Sequence, residues 1–262
     1  MPALLEVRDI SFAYEKGQDV FSAVSFTLEA GEIYTILGAN GSGKSTLLAC
    51  LMGMLRPQQG VILLDGRDTA GMEAGEYALK VGVVTQNETV SLDFTVRDYL
   101  VLGRAPYIGL LKVPGKAEYE AVDRVMEQMR ISYLADKSIL HISGGERQQA
   151  QIARVLVQSP HLILMDEPTN HLDYGNQLKV LKTIVRLAED EGIAVILTTH
   201  TPDHAILLDA RTGILDHAGH LHSGDAADII TQDNLRGIYQ VDLCMTFIPD
   251  VNRRACVAPA IH

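Results

Sequence analysis

Apolar and polar residues alternate in short runs between Leu4 and Leu37, with breaks at Glu15-Lys16-Gly17-Gln18 and Ala30-Gly31. A period of two predicts half-buried strands, and the breaks predict turns, so this stretch is expected to form an antiparallel β-subdomain. Val61-Ile62-Leu63-Leu64-Asp65-Gly66 reads as a further strand ending in a turn. Glu32–Leu37, Val81–Thr85, His161–Met165 and Val195–Thr199 are instead mostly apolar runs, as buried strands are. The later ones alternate with helical stretches, which predicts a parallel sheet wound with helices. Between Gln86 and Ser159 the pattern changes to longer helical periods, such as Ala117–Arg130, and predicts a helical subdomain over about 87–159. The whole of 1–224 then reads as one α/β domain. Residues 225–262 read as an extension of two helical stretches and a tail containing Pro249 and Pro259. No internal repeat or low-complexity segment is visible.

Two glycine-bearing loops carry the chemistry. The first, Gly38-Ala39-Asn40-Gly41-Ser42-Gly43-Lys44-Ser45, follows the Glu32–Leu37 strand and precedes the uncharged, helix-forming Ser45-Thr46-Leu47-Leu48. Strand, glycine loop and helix in that order form a phosphate loop. Its glycines let successive N–H groups turn toward phosphate oxygens, and the helix N-terminus adds partial positive charge. Lys44 is expected to reach the β- and γ-phosphates, and the Ser45 hydroxyl to ligate Mg²⁺. The second loop, Ile142-Ser143-Gly144-Gly145-Glu146-Arg147-Gln148, opens a helix whose apolar residues recur at helical spacing. Ser143 fits an N-cap with Glu146 three residues on, a capping box.

A second chemical strand ends in Met165-Asp166-Glu167-Pro168. Ligands of open α/β sheets sit beyond the carboxyl ends of the strands, which brings Asp166 and Glu167 beside the phosphate loop. Asp166 suits a Mg²⁺-holding role, and Glu167 suits polarising a water for in-line attack. Taken alone, the acid pair would equally well cap the next turn. Two phosphate-type loops also suggest one nucleotide gripped from both sides, which a single chain rarely needs unless two chains share the site.

Composition narrows the setting. The chain has 262 residues, 47% of them hydrophobic, enough for a sizeable core. No apolar run reaches the roughly 18 residues of a membrane span, and no N-terminal signal pattern is seen, so a soluble protein is expected. A formal net charge of −11 argues against a general nucleic-acid partner. Cys50, Cys244 and Cys256 lack metal-ligand spacing and read as reduced thiols. His217, His220 and His222 are close enough to suggest a metal, but they flank Ala218-Gly219 in what reads as a hairpin, where exposed turn residues are the simpler expectation.

The phosphate loop, Ser143-Gly144-Gly145-Glu146 and Leu164-Met165-Asp166-Glu167-Pro168-Thr169, in this order and spacing, resemble the ATP-binding-cassette (ABC) ATPases from about Leu5 to about Gly224. The resemblance implies a P-loop NTPase (RecA-like) parallel-sheet core with the antiparallel and helical subdomains, and an ATPase using ATP and Mg²⁺. It implies that Gly38, Asn40, Gly41, Ser42, Gly43, Lys44, Ser45 and Thr46 hold the phosphates. Tyr14 matches the aromatic that stacks on adenine, Gln86 the glutamine that touches Mg²⁺ and signals to a membrane partner, Asp173 the D-loop aspartate, and His200 the switch histidine near the γ-phosphate. Alone, Tyr14 reads as a strand aromatic, Gln86 says nothing and His200 is an ordinary strand-end histidine; their register with the motifs gives them these roles. The same likeness implies that Ser143, Gly144, Gly145 and Glu146 face nucleotide on a second copy packed head to tail.

Gly103-Arg104-Ala105-Pro106-Tyr107, with Ser143–Gln148 and His171-Leu172-Asp173, looks most like ATPases of iron-siderophore, haem, cobalamin and molybdate importers. That likeness implies a cytoplasmic subunit, peripheral on the inner face of the cell membrane through transmembrane permease subunits and served indirectly by a substrate-binding protein. The rival reading is a soluble ABC-type assembly or regulatory factor with a cytosolic partner. Departures from the pattern are small: Ile142 stands where leucine is usual, Glu146 where glutamine is frequent, and Thr201-Pro202 follow His200 in place of an aspartate, which leaves that turn open.

Overall fold

The structure, a computed structural model, describes residues 3–86, 90–108 and 112–260. The alternating N-terminal runs form β1 (Leu5–Glu15) and β2 (Gln18–Leu28), paired antiparallel with Leu5 opposite Leu28 and Val7 opposite Phe26. β3 (Ile33–Leu37) and α1 (Lys44–Leu51) follow. β4 (Gln59–Leu64) and the short β5 (Arg67–Asp68) complete a four-stranded sheet of order β2-β1-β4-β5. The antiparallel β-subdomain expected from the period-two pattern is thus present, and β3 leaves it to join a second sheet.

After α2 (Ala74–Lys80) and β6 (Val81–Val84) comes the helical region: α3 (Val96–Val101), α4 (Lys116–Gln128) and α5 (Gly144–Val157). Its expected start near 87 falls outside the described residues. β7 (Leu162–Met165), α6 (Tyr174–Glu189), β8 (Ala194–Thr199), α7 (Pro202–Leu208), β9 (Arg211–Leu215) and β10 (Leu221–Asp225) then complete a six-stranded sheet of order β10-β9-β3-β8-β7-β6. Its pairs are parallel except β9 with β10.

Continuous apolar runs arise because these strands are covered on both faces. In β7, Leu162 and Leu164 enter the core under α1 and the antiparallel sheet, whereas Ile163 and Met165 enter the core beneath the helical region. Every residue of β7 and β8 is buried. Burying one such Leu or Ile side chain is worth about 1.5–3 kcal/mol, against about 0–1 for an exposed ion pair such as Arg97–Asp123. The sandwich of cores, not surface charge, therefore sets the fold.

His217, His220 and His222 lie at the β9–β10 hairpin, as the sequence suggested, with His220 Nδ1 and His222 Nε2 at 3.6 and 3.2 Å from Asp216 Oδ2. Beyond it, α8 (Ala226–Ile229) and α9 (Gln232–Tyr239) supply the two expected helices. The expected tail is instead ordered as a hairpin of β11 (Cys244–Ile248) and β12 (Arg253–Val257). Leu235 and Ile238 of α9 share a third core with Leu37, Ala205 and Ile214, with Met245 and Cys256 of the hairpin packed against it. No helix among the described residues is long and apolar enough to cross a membrane, and Cys50, Cys244 and Cys256 are unbridged.

Candidate active site

The strand order β3-β8-β7-β6 sets four chemical strand ends side by side, because parallel strands all present their carboxyl ends to one edge. β3 delivers the Gly38–Ser45 loop, β8 delivers His200, β7 delivers Asp166-Glu167 and β6 delivers Gln86. They surround an open cleft of about 700 Å³ lined by Tyr14, Asn40, Gly41, Gly43, Lys44, Ser45, Thr46, Gln86, Glu167 and His200, among others.

The loop has the geometry that its glycines predict. Gly41 and Gly43 have φ of 80° and 100°, the left-handed region that a side chain strains. Gly43 is the N-cap of α1 and leaves that helix end without a side-chain cap or an acid in its first turn. Gly38 packs on Ser42, whose Oγ is buried and finds no hydrogen-bond partner among the described residues. The Lys44 side chain is only 4% exposed; its Nζ donates to the Gly38 and Ala39 carbonyls, both at 2.9 Å, and lies 3.6 Å from Glu167 Oε1. Burial pulls the Lys44 ammonium below its usual pKa, against the opposing pull of Glu167 and Asp166. A phosphate arriving here would meet a partly desolvated cation and uncapped amides, a strong anion site.

The carboxylates are held from several directions. Ser45 Oγ donates to Asp166 Oδ1 at 3.2 Å, and Thr198 Oγ1 donates to the same oxygen at 2.6 Å. The Glu167 N–H donates back to Thr198 Oγ1 at 2.9 Å, with Glu167 at a φ of 44°. Left-handed backbone at a non-glycine residue costs of order 1–3 kcal/mol and persists where the surroundings fix it. Glu167 Oε2 accepts from Asn170 Nδ2 and faces His200 Nδ1, both at 3.2 Å. The oxygens of Ser45, Gln86 and Asp166 make a hard donor set of the kind Mg²⁺ takes, with few protein ligands and room for phosphate and water.

Tyr14 stands at the mouth, 68% exposed, edge-on to Phe12 and with its hydroxyl 3.3 Å from Thr46 Oγ1. Ser143, Gly144, Gly145, Glu146 and Asp173 are not among the residues lining the cleft. They form a separate patch. Ser143 Oγ accepts from the Glu146 N–H at 3.3 Å while Glu146 Oε2 accepts from the Ser143 N–H at 2.9 Å, the capping box read from the sequence. Hydrogen bonds from Ser143 hold the Glu146 carboxyl below its ordinary pKa. Asp173 caps α6 by accepting from the Asn176 N–H at 2.8 Å. A Cβ on Gly145 would stand 2.6 Å from the Asn176 side chain, so glycine there lets the two helix ends meet.

The sequence assigned no site role to Thr198, Asn170, His171 or His204. Thr198 had a signal, a buried hydroxyl closing an apolar strand. His204 is buried on α7 with Nδ1 at 3.3 Å from Thr169 Oγ1 and 3.2 Å from Thr199 Oγ1, tying the segment after Glu167 to the one before His200. The turn left open after His200 is closed by Thr199 Oγ1, which accepts from the Thr201 N–H at 3.1 Å, and by Pro202 in the first turn of α7.

Comparison with known proteins identifies the family. The ABC transporter family profile matches residues 21–170. The molybdate import ATP-binding protein MolC of Haemophilus influenzae is 31% identical over 93% of this chain and 90% of its own length. The hemin import ATP-binding protein HmuV of Bordetella avium is 34% identical over 91% and 92%. A solved ABC transporter assigned to the metal-chelate type, in an inward-facing conformation, superposes with a TM-score of 0.87 at 28% identity, covering 98% of both chains.

Proposed function

Since this chain belongs to the ABC transporter family as an ATP-binding, ATP-hydrolysing protein, we propose that it powers import of a metal chelate or oxyanion. Likeness to the molybdate and hemin import proteins and to the metal-chelate type transporter supports that substrate class. The ATPase domain spans about 1–224 with its helical subdomain at about 87–159, and 225–262 is an accessory extension. Two copies pack head to tail. Transmembrane permease subunits hold them on the cytoplasmic face of the membrane, and a substrate-binding protein feeds the permease.

In this reading Tyr14 stacks on adenine, and the Gly38–Thr46 loop and Lys44 grip the phosphates. Ser45, Asp166 and Gln86 would hold Mg²⁺, which when bound would supply positive charge to offset the phosphates. Glu167 orients and polarises the attacking water. His200, aimed at Glu167, contacts the γ-phosphate from the other side. Ser143–Glu146 and Asp173 complete the site of the opposite copy, and Gln86 relays closure to the permease. Most of the rate gain comes from positioning and electrostatics.

The observation that carries this reading is the placement of Lys44, Gln86, Glu167 and His200 around one cleft that the Ser143 loop of the same chain does not line, with Asp166 held beside it by Ser45. Glu167→Gln tests it. ATP binding should survive, turnover should fall roughly 10²–10⁴-fold as expected for loss of a general base, and the variant should elute as an ATP-dependent dimer. Wild-type turnover in Glu167→Gln contradicts the assignment. Copurification with a soluble complex, and no membrane permease, would contradict the transport role.

A further inference from the structure

The segment bearing His200 is short and poorly capped from within. It runs between β8 and α7, and Thr201, the N-cap of α7, makes no side-chain capping bond. Beyond the Thr199 hydroxyl that closes the turn onto the Thr201 N–H, its remaining anchors come from the C-terminal extension. Tyr239, at the end of α9, donates its hydroxyl to the His200 carbonyl at 2.6 Å across a separation of 39 residues. One turn further, Asp203 Oδ1 accepts from the Cys256 N–H at 3.2 Å and lies 3.6 Å from Arg253 Nη1, both on β12.

The donor is itself firmly placed. Leu235 and Ile238 are buried in the third core with Leu37, the residue before the phosphate loop. His217 Nε2 lies 2.9 Å from the Ile238 carbonyl at the end of the same helix. Burial pushes the Tyr239 phenol well above its ordinary pKa, with Cys256 and Glu167 acting in the same direction, so the hydroxyl stays protonated and donating. Fixing the His200 carbonyl fixes the peptide plane after it, and with it the direction in which the imidazole leaves the backbone.

We propose that the C-terminal extension is a brace for the switch histidine and that Tyr239 is a positioning residue for ATP hydrolysis, holding the His200 peptide so that its imidazole faces Glu167. The inference rests on the role given to His200 above. The extension thus ties the hydrolytic face of the cleft to the strand end that starts the phosphate loop. Tyr239 touches no reacting atom. Its contribution is a smaller spread of His200 orientations, which acts on turnover and leaves nucleotide affinity in place.

The test uses the full-length chain. Tyr239→Phe removes one oxygen; kcat for ATP should fall about fivefold, the equivalent of one lost hydrogen bond, with KM unchanged. Amide hydrogen exchange over 200–203 should quicken while β8 stays protected. In a His200→Ala background the same change should cost nothing further in kcat. Wild-type kcat with unchanged exchange, or an equal loss in the His200→Ala background, overturns the proposal. If His200→Ala alone keeps wild-type turnover, the role of His200 fails, whereas exchange at 200–203 still reports the brace separately. Should Tyr239→Phe not fold, Arg253→Ala loosens the Asp203 anchor; faster exchange over 200–203 supports the brace and unchanged exchange overturns it.

Discussion

At the N-terminus of α1 the chain places a glycine cap, no acid and a buried lysine. At the N-terminus of α5 it places a serine cap and a glutamate that answers it. The first end follows a glycine-bearing loop, the second begins on Gly144-Gly145 within the helix, and both carry the same partial positive charge of a helix terminus. Among the described residues no side chain caps the α1 amides, and Lys44 is held by two carbonyls and Glu167, contacts that a phosphate can replace. In α5 the Glu146 carboxylate already satisfies Ser143, and Lys137 Nζ lies 3.9 Å from it. The first end attracts an anion by charge. The second is stable as it stands and suits a ligand whose charge is already neutralised elsewhere. That asymmetry suits the proposed site shared between two copies, in which one half binds and the other completes.

The largest expected effect breaks the binding half. Lys44→Ala should lower ATP turnover about a hundredfold or more, read as steady-state phosphate release, with ATP affinity falling too. Next comes the completing half. Ser143→Ala should cost about 1 kcal/mol of stability through the lost cap, seen as a lower urea midpoint. Its turnover should fall while each isolated chain still binds ATP. Equal nucleotide affinity losses in the two variants would erase the contrast.

The smallest effect concerns the frame of the binding half. Burial, with help from the His200 charge, holds the His204 imidazole below its ordinary pKa of 6.5, outweighing Asp203. As pH falls below that value the unfolded chain takes up this proton first, so the folded state loses stability; above it the group contributes no such slope. His204→Gln should flatten this acid-side decline in thermal midpoint and leave the Ser143 patch unaffected. An unchanged slope would remove His204 from the frame.

Much of this was legible in the sequence, for local reasons. β7 and β8 showed themselves as continuous apolar runs because both faces are buried, and the capping box of α5 needs only two residues three apart. The phosphate loop is likewise a local pattern with a local cause. Thr198 was less visible, since its bridge between Asp166 and the Glu167 N–H exists only once β7 and β8 pair. The hairpin at Cys244–Val257 was hidden by Pro249 and by Arg253-Arg254, which break the apolar pattern; its order depends on packing against α7, where Asp203 receives Cys256. Tyr239 carried no sequence signal, because its partner is a backbone carbonyl far along the chain.

The most direct measurement mixes two inactive chains. Lys44→Ala loses its own phosphate grip, and Ser143→Arg blocks the loop that it offers to a neighbour. In a head-to-tail pair of one each, one cleft keeps both an intact Lys44 and an intact Ser143, so the mixture should regain ATP turnover that neither variant has alone. If each chain completes its own site, the mixture will stay as inactive as its components, and the account of a shared pocket will be wrong.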